Sequence, residues 1–200
     1  MKLVLATNNL HKIREMKEIL ADLDVEVLTK DDFDNFPDVE ETGSTLEENA
    51  AIKSEAIFAF TGLPSLADDS GLEVDALDGA PGVVSARYAG PGCTFADNNR
   101  KLLKELDGVA DDRRSARFRC VIAITFADGD TVLAEGRVDG RITHELRGRE
   151  GFGYDPVFEI PDLGQTFAEM PADQKNSMSH RGRALTKARE AIEKRLTQSQ

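Results

Sequence analysis

The chain has 200 residues, 40% hydrophobic and 31% charged, a balance that excludes disordered and collagenous classes and suits one domain spanning 1–200. Its 25 Lys and Arg stand against 37 Asp and Glu, and a net charge of −12 argues against a nucleic-acid partner. No apolar stretch is long enough to span a membrane, and Leu3–Ala6 is too short for a signal-peptide core, so no membrane association is expected.

Lys2–Thr7 reads as a short buried strand that runs into Asn8-Asn9, and a helix follows with Leu10, Ile13, Met16 and Leu20 on one stripe. Val25–Leu28 is a second strand. Between Lys30 and Lys53 there is no Lys or Arg and there are eight acids, a segment that suits either a solvated loop or a divalent cation. Ser44-Thr45-Leu46-Glu47 is a capping-box signature that opens a helix to about Phe60, closed by Thr61-Gly62 and Pro64. Leu63–Ala67 approaches as a strand, breaks at a junction over Asp68-Asp69-Ser70-Gly71, and continues as Leu72–Leu77 before the turn residues 78–82.

Thr94 caps a helix that places Phe95, Leu102, Leu103 and Leu106 on its inner side, ended by Gly108. Residues 116–126 alternate cleanly as a strand, and Asp128-Gly129 turns them into Thr131–Ile142. A glycine-rich loop over 148–156 precedes a strand at Val157–Ile160, and the last helix begins at about Arg183. Helices beside both parallel-type and hairpin strands imply an α/β fold with a mixed sheet.

Several catalytic signatures are absent: there is no Gly-Lys dipeptide, GxGxxG, HExxH or GxSxG. Cys93 and Cys120 form no CxxC and have no paired histidines, which points to a reducing cytoplasm rather than a zinc site. Five other features carry the chemistry. Thr7-Asn8-Asn9 with Lys12 joins a strand to a helix N-terminus, which suits an anion and equally suits ordinary capping. Asp68 and Asp69 are adjacent carboxylates that point to opposite sides of an extended backbone, so they take different roles unless they lie in a plain surface turn. Lys53 sits in the middle of the stripe Leu46, Ala50, Ile57, Phe60; it either snorkels or meets a negative partner. If it meets substrate phosphate, Lys53→Met should keep or raise stability. Gly151-Phe152-Gly153-Tyr154-Asp155-Pro156 offers aromatic faces beside permissive glycines, and residues 175–182 form a donor-rich loop.

In this order, and joined by Glu40-Glu41-Thr42-Gly43, Glu48-Asn49-Ala50, Gly79-Ala80-Pro81-Gly82 and Ser85-Ala86-Arg87-Tyr88, these motifs resemble the inosine triphosphate pyrophosphatase family over essentially the whole chain. Asn8, at a position often glycine, and Asp78 before Gly79 are the departures. The resemblance implies an elongated mixed twisted sheet flanked by helices, with two lobes and the active cleft between them. It also implies a cytoplasmic homodimer that uses Mg²⁺ to cleave ITP, dITP and XTP to the monophosphate and pyrophosphate. By position, Asp69 would be the general base and a metal ligand, with Asp68 and Glu40 completing the metal site. Thr7, Asn8, Asn9, Lys12, Lys53, Ser70 and Lys175 would hold the phosphates. Phe152, Gly153, Tyr154, Asp155, His180 and Arg181 would receive base and sugar, the last two as donors to a 6-oxo purine. A Maf-like pyrophosphatase and a non-catalytic nucleotide sensor are the rival readings.

Overall fold

A computed structural model describes residues 1–198. Seven strands form one sheet: β1 (Lys2–Leu5), β2 (Glu26–Leu28), β3 (Ser65–Val74), β4 (Ser115–Thr125), β5 (Thr131–Ile142), β6 (Phe158–Ile160) and β7 (Gln165–Thr166). Their order is β2-β1-β3-β4-β5-β6-β7. β1 is parallel to both neighbours, with Leu3 beside Val27 and Leu5 beside Leu66, whereas β6 is antiparallel to β5 and β7. The helices are α1 (Leu10–Leu20), α2 (Leu46–Thr61), α3 (Phe95–Glu105), α4 (Ala172–Met178) and α5 (His180–Gln198). This is the mixed α/β sheet that the strand patterns imply. No helix among the described residues is long and apolar enough to cross a membrane.

The chain divides into two compact units. The first comprises residues 1–69, 120–136 and the chain from Arg181 on; the second comprises 70–119 and 137–180. In the first unit the two-residue period of the strands sorts side chains onto two faces. Leu3, Leu5 and Leu66 share a core with Met16 and Leu20 of α1 and Ala184, Leu185 and Ala188 of α5. Val4, Ala6 and Ala67 form a separate cluster with Ile57 of α2. Helices α1 and α5 therefore serve one face and α2 the other.

The capping chemistry is present but shifted by one residue at α2. Thr45, not Ser44, is the N-cap and accepts from the Glu48 amide at 3.1 Å, while the Glu48 carboxylate accepts from the amide and hydroxyl of Ser44. Gly62, at φ +67°, closes the helix in the left-handed conformation that glycine adopts at least cost. Four sequence-based expectations are corrected. Residues 68–71 form no junction; they lie within the uninterrupted strand β3. The supposed donor-rich loop is largely the short helix α4, with Ser179 as its C-cap, and α5 starts at His180 rather than Arg183. Leu10 and Phe95 stand outside their helices' buried stripes, 75% and 48% exposed, because each is the first residue of its helix and overhangs the end.

The second unit is built on Leu72, Val74, Phe118, Val138, Phe158 and Phe167. Within it lies Arg114, 2% exposed and charged. Its guanidinium donates to the carbonyls of Ile142 (2.7 Å), Leu106 (2.8 Å) and Thr143 (2.8 Å), tying the end of α3 to β5 and the chain after it. Such a charge is tolerable only while every donor is used. Arg114→Met is expected to strand these carbonyls and lower unfolding free energy by about 2–4 kcal/mol. Urea denaturation of the two proteins checks it; an unchanged midpoint would show the bonds to be dispensable.

Candidate active site

The first unit gathers five charged side chains around adjacent residues of one strand. Asp68 points to the face of α1 and α5, where Lys12 Nζ lies 2.9 Å and Arg181 Nε 3.4 Å from its Oδ2. Arg181 is itself 3% exposed and reaches Glu15 at 2.8 Å. Burial alone would push the Asp68 carboxyl up, but Lys12, Arg181 and Lys53 outweigh it and hold the group well below the usual carboxylate range. Arg181 is held above its ordinary value: burial opposes its charge, and Asp68 and Glu15 overcome that.

Asp69 points to the opposite face, toward α2. Asn49 Nδ2 donates to its Oδ2 at 3.3 Å, and Lys53 Nζ stands 3.7 Å from its Oδ1. Here burial prevails, Glu41 adds to it, and the carboxyl is raised despite the nearby ammonium groups and the Asn49 hydrogen bond. Neighbours in sequence are thus shifted in opposite directions, Asp68 by the cations around it and Asp69 by its burial. The Asn49 amide is oriented from its other end, because its Oδ1 accepts the Gly43 N–H at 2.7 Å. A Cβ at Gly43 would lie 2.6 Å from Glu48 Cβ and 2.7 Å from that Oδ1, so this approach requires glycine.

Lys53 does not snorkel. Its ammonium meets Glu41 Oε1 and the Asp68 carbonyl, each at 2.7 Å. Burial works against the Lys53 charge, and Asp68, Asp69 and Glu41 together raise its pKa nonetheless. A pocket of about 170 Å³ opens here against Thr7, Asn8, Lys12, Glu41 and Lys53. Asn9 is the N-cap of α1, accepting from the amides of His11 and Lys12, and Thr7 Oγ1 accepts from the Asn9 amide. The strand–helix junction therefore consumes part of its own anion-binding capacity in capping, and Lys12, paired with Asp68, borders the pocket.

In the second unit, Gly151 and Gly153 flank Phe152 with φ of +75° and +64°. Asp155, 3% exposed, accepts from the Phe152 amide and from Lys175 Nζ, each at 2.7 Å. Lys175 Nζ lies 4.9 Å from the Phe152 ring centroid, and the buried His180 ring stacks on Phe118 at 4.6 Å. Tyr154 is packed in the unit's core with its hydroxyl donating to the Ser85 carbonyl at 2.8 Å, so its ring face is spent on packing. Ser70 is half-buried on β3.

Residues 3–191 match the model of the Ham1 family. The chain belongs to the Ham1 family. It is 54% identical over 192 residues to a dITP/XTP pyrophosphatase of Desulforamulus reducens, covering 96% of each chain. A dITP/XTP pyrophosphatase of Listeria monocytogenes is 49% identical over 184 residues, covering 92% of this chain and 91% of that one. Among solved structures, a HAM1 protein from Coxiella burnetii superposes with a TM-score of 0.90 at 44% identity, over 97% of this chain and 99% of that one. The Ham1 protein of Staphylococcus aureus gives 0.90 at 42% identity, over 98% and 100%.

Against the sequence-based site of this Ham1 chain, the first unit assembles Thr7, Asn8, Asn9, Lys12, Lys53, Asp68 and Asp69. It adds Arg181, which lies on Asp68. The metal trio does not assemble: Glu40 is exposed, and no three His, Cys, Asp or Glu side chains among the described residues stand together as a metal cage. Glu41, the neighbour of Glu40, is the one that turns inward, to Lys53. Both belong to an irregular segment with no period to fix which side chain turns inward. Glu15 was also missed, although its i, i−3 spacing to Lys12 on α1 carries a signal. Within the second unit, Lys175 stands with Asp155 and Phe152.

Two measurements follow from this charge arrangement. Asp68 ionises below its unfolded value, so its stabilisation is in full force above about pH 4 and is lost as pH falls through the folded value. Asp68→Asn should cost about 2–4 kcal/mol at neutral pH, and the gap to wild type should close below pH 4 in acid-denaturation curves. A gap independent of pH would show that the ion pairs are not its origin. Lys53→Met should now lose stability rather than gain it, by about 1–3 kcal/mol, because three oxygen partners already rely on the ammonium. Thermal denaturation at pH 7.5 separates that loss from the gain expected of a lysine reserved for substrate.

Proposed function

We propose that the protein hydrolyses the α–β anhydride of dITP, XTP and ITP, releasing the nucleoside monophosphate and pyrophosphate. The observation that carries the reading is the pairing of Asp68 and Asp69: one strand presents a clamped anion and a proton-accepting carboxylate beside Lys12 and Lys53. The family and the names of its relatives support the substrate class. Lys12 and Lys53 border the pocket and are suited to neutralise non-bridging phosphate oxygens, where charge is concentrated. Asp69 is placed to take the proton of the attacking water; the anhydride bond breaks as the new P–O bond forms, and pyrophosphate departs. Asp68 holds Lys12 and Arg181 in place and accepts no proton in the working range.

The donor chemistry fits a hard divalent cation, taken as Mg²⁺. Asp69 and Glu41 are two carboxylates that share one ammonium at the pocket, and Mg²⁺ characteristically takes one or two carboxylates together with substrate phosphates and water. When bound, such an ion would lower the charge on the phosphate oxygens. The Phe152–Asp155 loop, Lys175 and His180 are read as the nucleobase and sugar subsite, with Phe152 as the stacking face. The two free cysteines agree with a reducing, cytoplasmic location, and a homodimer is the assembly that the resemblance implies.

The test is a pyrophosphate-release assay over dITP, XTP, dATP, dGTP and dTTP, with and without Mg²⁺. Wild type should favour dITP and XTP and require the metal. Asp69→Asn should remain folded and lose about 10²–10⁴ in kcat, the usual range for a general base. Preference for dTTP would indicate a Maf-like activity, binding without turnover would indicate a sensor, and near-normal turnover by Asp69→Asn would place the base elsewhere.

A further inference from the structure

The second unit contains two side chains on α3 that no part of the proposed mechanism uses. Phe95 and Asn99 lie one turn apart, hence on the same face of the helix. Phe95 is 48% exposed and outside the unit's hydrophobic core, yet its ring packs against Phe152 with centroids 6.1 Å apart and planes at 41°. Asn99 is 4% exposed, and its Nδ2 donates to the Gly153 carbonyl at 2.8 Å. No donor among the described residues reaches Asn99 Oδ1, although that atom is buried. The amide thus commits its donor to the loop while its own acceptor goes unmatched.

Phe152 itself lies between two glycines in left-handed conformations, and from within the loop its amide is held by Asp155. From outside the loop, α3 adds contacts at both the ring and the following carbonyl. We propose that Phe95 and Asn99 are positioning residues that fix the Gly151–Asp155 loop and thereby set discrimination between purine bases. The inference rests on the reading of that loop as the nucleobase subsite. Phe95 acts through the plane of Phe152, and Asn99 acts through the Gly153 carbonyl.

Three variants of the full chain test this: Phe95→Ala, Phe95→Tyr as the conservative control, and Asn99→Leu. Amide hydrogen exchange in the substrate-free protein reports on the loop. The Phe152 and Asp155 amides should exchange about fivefold or more faster in Phe95→Ala and Asn99→Leu, as local opening is made easier. Asn99→Leu strands the Gly153 carbonyl, so some loss of Tm is expected, and the split between the two nucleotides, not the Tm, separates a positioning role from a merely structural one. The ratio of kcat/KM for dITP over dATP should fall about tenfold in both, with Phe95→Tyr close to wild type. Unchanged exchange in both variants overturns the proposal whatever the substrate. So does faster exchange with an unchanged ratio, or an equal loss on both nucleotides. A wild-type enzyme indifferent between dITP and dATP overturns the underlying substrate reading instead, and that failure is visible before any variant is made.

Discussion

The first unit is organised around one buried carboxylate. Asp68 is completely enclosed, so its charge is tolerable only with cations on it, and Lys12 and Arg181 meet that demand from two different helices. The constraint propagates outward. α1 must bring Lys12 to the strand, α5 must begin close enough to deliver Arg181, and Glu15 must return from α1 to balance the guanidinium. The hydrophobic contacts of Met16, Leu20, Leu185 and Ala188 bring the helices together, but they carry little directional information. The ion network fixes how those helices are set against the strand.

The same network resolves a conflict that a pair of adjacent carboxylates would otherwise create. If both shared one environment, mutual repulsion would raise one of them and leave neither well defined. The strand separates them by face, and each face has its own chemistry. Toward α1 and α5 lies full positive charge; toward α2 lie an amide, a shared ammonium and another carboxylate. An acidic chain can therefore hold two lysines at a pocket, because each ammonium is matched by carboxylates behind or beside it. The overall charge says nothing about this, since it is a matter of which acids are buried and which are not.

Much of this was legible in the sequence, and for identifiable reasons. The alternation of residues 116–126 and the Asp128-Gly129 turn reveal β4 and the hairpin because period and turn chemistry coincide there. Lys53 stood out because a charge at the centre of an apolar stripe demands an explanation, and the structure supplies one. The errors fall where no period constrains the reading. The strand was broken at residues 68–71 because polar residues and a glycine resemble a turn, whereas each charge there is compensated from outside the strand. The choice between Glu40 and Glu41 depends on the path of an irregular segment. The helix α4 is too short and polar for periodicity to mark it. Tyr154 looked like a stacking face because a sequence does not reveal that its hydroxyl is bonded to Ser85.

The placement of the two aspartates on β3 also makes the strand a kind of reading frame. β1 and β3 are aligned with Val4 beside Ser65 and Leu5 beside Leu66. A slip of one residue would exchange the faces of every side chain at once. Asp69 would then meet Lys12 and Arg181 and become the inert anion, while Ser70 would face Asn49 and Lys53. Asp68 would also be carried into the apolar cluster of Val4, Ala6 and Ile57, away from its cations, so the fold would suffer with the site. Insertions and deletions near this strand are thus far more dangerous than most substitutions in it, because they alter phase rather than chemistry. The apolar residues Leu66 and Ala67, buried on opposite faces just before the pair, act as the frame's start signal.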